Sequence, residues 1–149
     1  MADPLELEVQ TSPDEVRLEA VFERVEPTAL FEYWTNPGFL TRWWPPKADL
    51  EPRRGGRYHF VWPDQGWHLR GTFIEFEKGS RLGFTWSWDH DPEDKTQVRI
   101  RFTGRPDGRS TTLLLIHEGH ARIDRSEDRL RDHLEGWKFF LPRLARLFD

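Results

Sequence analysis

The chain has 149 residues, no cysteine, and a net charge of −4 with both signs mixed along its length. That length fits one domain built on one core, and the missing cysteine excludes thiol catalysis, disulfides and cysteine-ligated metal. The mixed charge forms no basic stripe, which argues against nucleic acid as a partner.

The start, MADPLELEVQ, is acidic and has no apolar signal region, so no signal peptide is expected and a cytoplasmic setting is. No stretch approaches the run of about 20 apolar residues that a membrane span needs. Leu5, Leu7 and Val9 alternate, so residues 1–13 read as a short edge strand or a tail ahead of a single domain over 14–149. In Glu15–Arg24, Val16, Leu18, Ala20 and Phe22 share one side, the pattern of a half-buried strand. Pro27 suits the first position of a helix. Asn36-Pro37 repeats the signal with Asn36 as N-cap, and Pro45-Pro46 stops the second helix. The stretch FEYWTNPGFLTRWWPP is therefore two short helices, whose Trp34, Trp43 and Trp44 are expected to anchor them over one end of a sheet.

From Gly55 the texture changes to strands. Gly56–Trp62 sets Tyr58, Phe60 and Trp62 on one face; Trp67–Glu77 follows; Arg81–Trp88 sets Leu82, Phe84, Trp86 and Trp88 on one face. DHDPED reads as a loop before Thr96–Thr103, where Val98, Ile100 and Phe102 alternate with Gln97, Arg99 and Arg101. Pro106-Asp107-Gly108 is a turn, and Ser110–His117 is the last strand. Strands joined by tight turns predict an antiparallel meander. The last strand is apolar on both sides, and Leu114 and Ile116 on its outer side need a cover, either the N-terminal segment or a second subunit in a homodimer.

The C-terminus predicts a long helix. Asp124-x-x-Glu127 resembles a capping box, and Leu130, Leu134, Trp137, Leu141, Leu144 and Phe148 form one apolar stripe. Pro142 is expected to kink it near Lys138, and Gly136 to admit a close neighbour. An aromatic sheet face and an apolar helix stripe must cover each other. The simplest solution is an α+β fold with a curved antiparallel sheet wrapped around the long helix.

Trp34-Thr35-Asn36-Pro37, Arg42-Trp43-Trp44, Gly55-Gly56-Arg57-Tyr58, Gly71-Thr72-Phe73, Leu82-Gly83-Phe84-Thr85-Trp86, His117-Glu118-Gly119 and Gly136-Trp137 occur in that order. Each is weak alone; as an ordered set they resemble the START-like, or SRPBCC, superfamily, and within it the small bacterial members of the branch named for the activator of the heat-shock-protein-90 ATPase. The resemblance covers about residue 14 to the end, with Pro142 as a departure. It implies a helix-grip fold with a cavity between sheet and helix. It leaves function open, because the superfamily includes lipid carriers, hormone binders, polyketide cyclases and co-chaperones.

A dry void of about 200 Å³ costs about 5 kcal/mol, against a usual stability of about 5–15 kcal/mol, so indole rings, water or a ligand must fill such a cavity. The leading expectation is a small hydrophobic or aromatic ligand held by Trp44, Tyr58, Phe60, Trp62, Phe84, Trp86, His117, Trp137 and Leu141. Tyr58 and His117 would supply the hydrogen-bonding groups, and Trp44 the edge of the mouth. No catalytic residue, cofactor or metal site is expected: on a strand, His117 and His120 would point to opposite faces, and the spacing of a zinc helix is absent. A cyclase or aromatase would need several polar groups converging inside, whereas Arg57, Arg99 and Arg101 alternate to the outer face. The eukaryotic chaperone activator carries an additional N-terminal domain that this sequence does not show, which counts against a chaperone partner.

Overall fold

The structure, a computed structural model, describes residues 5–149. Eight strands form one antiparallel sheet in the order β1-β2-β8-β7-β6-β5-β4-β3. The strands are β1 (Glu8–Thr11), β2 (Val16–Phe22), β3 (Lys47–Leu50), β4 (Arg57–Trp62), β5 (Trp67–Glu77), β6 (Arg81–Trp88), β7 (Asp91–Gly104) and β8 (Thr111–Glu118). The helices α1 (Pro27–Thr35) and α2 (Pro37–Leu40) follow β2, and α3 (Ser126–Arg146) closes the chain. Among the described residues no helix is long and apolar enough to cross a membrane.

Alternation decides which face of the sheet is covered. Val16, Leu18, Ala20 and Phe22 of β2 are buried, as are Leu113, Leu115 and His117 of β8 and Val98, Ile100 and Phe102 of β7. Register shifts between Phe73 and Glu75 and between Trp86 and Trp88 curl the sheet. The sheet thus wraps α3, whose Trp137, Leu141 and Leu144 are buried against it. This is the helix-grip α+β arrangement. Gly71 marks one tight crossing: a Cβ there would sit 2.1 Å from the Thr85 carbonyl oxygen and 2.4 Å from the Tyr58 ring. Its absence lets the Tyr58 hydroxyl donate to that carbonyl at 2.5 Å.

The two short helices form as their prolines predict. Pro27 and Pro37 each open a helix, and Asn36 Oδ1 accepts from the Gly38 N–H at 2.9 Å. Trp34 and Trp43 meet edge to face at 4.7 Å, and the Trp43 indole donates to the Tyr33 carbonyl at 2.8 Å.

Several expectations are corrected. DHDPED is not a loop: only Asp89-His90 turns, Trp88 pairs with Asp91, and β7 begins there. Cross-strand pairing overrides the poor strand propensity of Asp and Pro. β3 was not anticipated; it pairs with β4 through Lys47↔Val61 to Leu50↔Tyr58. The Asp124 capping box does not form, because Arg125 occupies the N-cap in a left-handed conformation with no side-chain cap, and the Asp124 carbonyl accepts from Arg129. Gly136 admits no close neighbour: a Cβ there would meet nothing within 4 Å. The buried line of α3 is Arg129, His133, Trp137, Leu141 and Leu144, while Leu130 and Leu134 are only half-buried.

Candidate functional site

A cavity of about 400 Å³ opens to solvent between the curled end of the sheet and the first half of α3. Its walls include Trp44, Trp62, Trp67, Trp86, Trp88 and Trp137, six of the chain's eight tryptophans. Phe140 and Gly136 contribute from the helix, so the missing side chain at Gly136 is part of the opening. Polar groups gather on the same walls: Asp94 and His133 inside, and Asp91, Arg129, His90 and Asp132. The cavity opens to solvent, so the cost of a sealed void does not arise.

Of the residues expected at a ligand site, Trp44, Trp62, Trp86 and Trp137 line this cavity. Tyr58, Phe60, Phe84, His117 and Leu141 are buried in the core and are not among its lining residues. The Tyr58 hydroxyl is already committed to Thr85, and burial pushes its pKa well above the usual phenol value. The Trp44 ring lies 6.0 Å from Trp86 and 5.1 Å from Trp137, joining the cavity to the solid aromatic core.

The polar side of the site was missed in the sequence. Asp94 and Thr96 are buried at 2% and 5% exposure, because the inward face of β7 continues backward from Val98 by the same two-residue step. His133 and Arg129 similarly continue the inward line of α3 by steps of four from Trp137. Arg129 grips Asp91 with two guanidinium hydrogen bonds, Nε to Oδ2 at 2.9 Å and Nη2 to Oδ1 at 2.5 Å. That bond holds the Asp91 carboxyl below its ordinary pKa and ties α3 to the start of β7.

His117 and His120 do not point apart as strand alternation predicts. The strand ends at Glu118, Gly119 turns at φ 101°, and His120 begins a single 3₁₀ turn, His120–Arg122, that carries its ring back inside. Both histidines are buried, with ring centres 5.0 Å apart. His133 lies 2.7 Å from Asp94 Oδ2 through Nε2 and 2.8 Å from His120 Nε2 through Nδ1. His120 Nδ1 meets the Asp14 carbonyl oxygen at 2.8 Å. The Trp137 indole donates to His117 Nδ1 at 3.1 Å, His117 Nε2 meets Thr96 Oγ1 at 2.8 Å, and Thr96 donates to Asp94 Oδ1 at 3.2 Å. Burial, then the neighbouring histidines, holds His117 well below the ordinary imidazole pKa. Burial also lowers His120.

Nitrogens of His117, His120 and His133 lie within 4.8 Å of one another. A metal must lie near the plane of each imidazole that binds it. The His117 and His133 rings are stacked 4.0 Å apart at 12°, so one ion cannot satisfy both. His120 Nε2 and His133 Nδ1 instead lie at hydrogen-bond distance, 2.8 Å.

The family model described as "Activator of Hsp90 ATPase homolog 1-like protein" matches residues 24–149. The chain belongs to this family. Solved structures share its helix-grip fold. Protein MLL2253 from Mesorhizobium loti is 26% identical, with TM-score 0.77 over 91% of this chain and 96% of that one. CalU16 from Micromonospora echinospora is 22% identical, with TM-score 0.73 over 100% of this chain and 87% of that one. DynU16, from the dynemicin biosynthetic locus, is 23% identical, with TM-score 0.73 over 89% of this chain and 46% of that one. No curated protein matches the chain.

Proposed function

We propose that this family member binds a small, ring-bearing hydrophobic molecule in the tryptophan-walled cavity. The observation that carries the reading is the concentration of six tryptophans on one opening of about 400 Å³, within the size range of small-molecule sites, about 300–1,000 Å³. Flat indole walls suit a flat ligand, and the Asp94–His133 end supplies the few polar contacts that orient one.

Naphthalene titrated against the protein, read by tryptophan fluorescence, should bind saturably. Gly136→Leu should fold and abolish that binding, because its side chain would enter the opening. Absence of saturable binding, together with no co-purified molecule in native mass spectrometry, would remove the reading.

A second reading, an enzyme of the cyclase type, is favoured by one observation. Asp94, Thr96, His117, His120 and His133 converge in one buried cluster, and two of them reach the cavity wall. Convergent inward polar groups are what a proton-transferring enzyme needs and a carrier does not.

A further inference from the structure

The hydrogen-bond chain Asp14–His120–His133–Asp94 can be counted proton by proton. A carbonyl oxygen only accepts, so His120 Nδ1, 2.8 Å from the Asp14 oxygen, carries a hydrogen. The 2.8 Å contact from His120 Nε2 to His133 Nδ1 needs one hydrogen, and so does the 2.7 Å contact from His133 Nε2 to Asp94 Oδ2. Three contacts need three hydrogens. Two neutral imidazoles and a carboxylate supply two, one from each ring. The chain therefore holds one proton more than its neutral rings account for.

The side branch does not supply it. Trp137 Nε1 can only donate, so His117 Nδ1 is bare and its single hydrogen, on Nε2, goes to Thr96. Thr96 in turn donates to Asp94 Oδ1. Burial favours the neutral form of His120 as well. With His120 neutral and hydrogen on its Nδ1, its Nε2 accepts and His133 Nδ1 donates. The extra proton then lies between His133 Nε2 and Asp94 Oδ2, and those two residues, unlike His120, line the cavity.

We propose that the Asp94–His133 pair stores one transferable proton at the cavity wall and donates it to the oxygen of a ring-bearing ketone or its enolate. With a ketone, the ligand oxygen shares the hydrogen that otherwise lies wholly in the His133 Nε2–Asp94 Oδ2 contact. With an enolate, the His133 Nε2–H bond breaks, that contact to Asp94 opens, and the enolate oxygen uses a lone pair to form O–H. The products are a neutral enol and a neutral imidazole beside the Asp94 carboxylate, so the negative charge passes from ligand to protein. His120 and Asp14 are positioning residues: they fix which His133 nitrogen faces Asp94. The groups facing the pair are Thr96 of β7, His117 of β8, Trp86 of β6, His120 of the 3₁₀ turn and, one turn back on α3, Arg129, whose charge acts on Asp94; Asp91 and Asp132 share the cavity wall. The proposal rests on the cavity accepting a ring, but the proton count does not.

Asp94→Asn gives a direct test. Its carbonyl can accept from Thr96 while its amide donates to His133 Nε2, so every contact survives with two neutral rings and no extra proton. Imidazole nitrogen and carboxyl carbon shifts by NMR, with zinc measured by elemental analysis, should show hydrogen on His120 Nδ1 and His117 Nε2. They should also show either a doubly protonated His133 or a protonated Asp94 in the native protein, and neither in Asp94→Asn. Two neutral rings beside a bare carboxylate, or stoichiometric zinc on His120 and His133, would overturn the proton store. For donation, 2-acetylnaphthalene should bind the native protein about tenfold more tightly than 2-ethylnaphthalene, the worth of one hydrogen bond from a charged donor. Asp94→Asn should erase that preference, so that the two naphthalenes bind the variant with equal affinity. An extra proton without the preference would overturn donation alone. Failure of both naphthalenes to bind would overturn the ligand reading and donation together, with the proton store judged by NMR.

Discussion

The two halves of α3 face the same curved sheet and do opposite things. Its second half presents Leu141 and Leu144, fully buried, beside a block formed by Trp34, Trp43, Leu30 and Phe31. Its first half presents Arg129 and His133 and leaves an opening where Gly136 has no side chain. Trp137 sits at the boundary: its ring is 5.9 Å from Trp34 on the packed side, and its N–H reaches His117 on the polar side. Tight packing and the open, polar-walled cavity are thus separated along one helix. The packed half can be tight because the other half supplies the opening, and the polar half can bury five ionisable side chains, Asp94, His117, His120, Arg129 and His133, because each has partners.

The sharpest way to break this comparison is to empty the packed half. Trp34 is 2% exposed and touches three other tryptophans, so Trp34→Ala should cost about 3–5 kcal/mol in chemical denaturation. A loss below about 1 kcal/mol would mean that this half is not the stabilising one.

The polar half should announce itself through pH. His117 and His120 are held neutral below the ordinary histidine value of 6.5, so on acidification the unfolded chain binds protons that the folded one does not. Their contribution is fully present above about 6.5 and is lost as pH falls below it, with a slope of up to about 1.4 kcal/mol per pH unit for each proton. Denaturation midpoints measured at and below that value check the sign, because above it the proton held by Asp94–His133 acts in the opposite direction; stability that rises as pH falls below about 6.5 would contradict it.

The smallest effect sharpens the boundary. Gly136→Ala adds a methyl where nothing lies within 4 Å, so it should stabilise the helix by up to about 1 kcal/mol. It should also weaken naphthalene binding by intruding on the opening. Stabilisation without weaker binding would separate Gly136 from the site.

Much of this was legible in the residues. Alternation in Val16–Phe22 and Arg81–Trp88 and the prolines at 27 and 37 have local causes, so local reading recovers them. The tryptophan walls were half legible: Trp62 and Trp86 follow from strand parity, but whether indoles fill a core or rim an opening depends on the helix packed above them. Asp94, His120 and His133 were not recovered as a site. An acidic DHDPED reads as solvated, a glycine turn reverses the facing of His120, and His133 is 39 residues from the aspartate it meets.

The sequence by itself determined the strands, the paired short helices and an amphipathic terminal helix, because periodicity and proline geometry act over a few residues. Only the tertiary structure decided that six tryptophans surround an opening and that three histidines and an aspartate join one hydrogen-bonded cluster beside it. Those contacts join segments far apart in the chain, and hydrogen-bond geometry at 2.7–2.8 Å exists only once the sheet has curled around the helix.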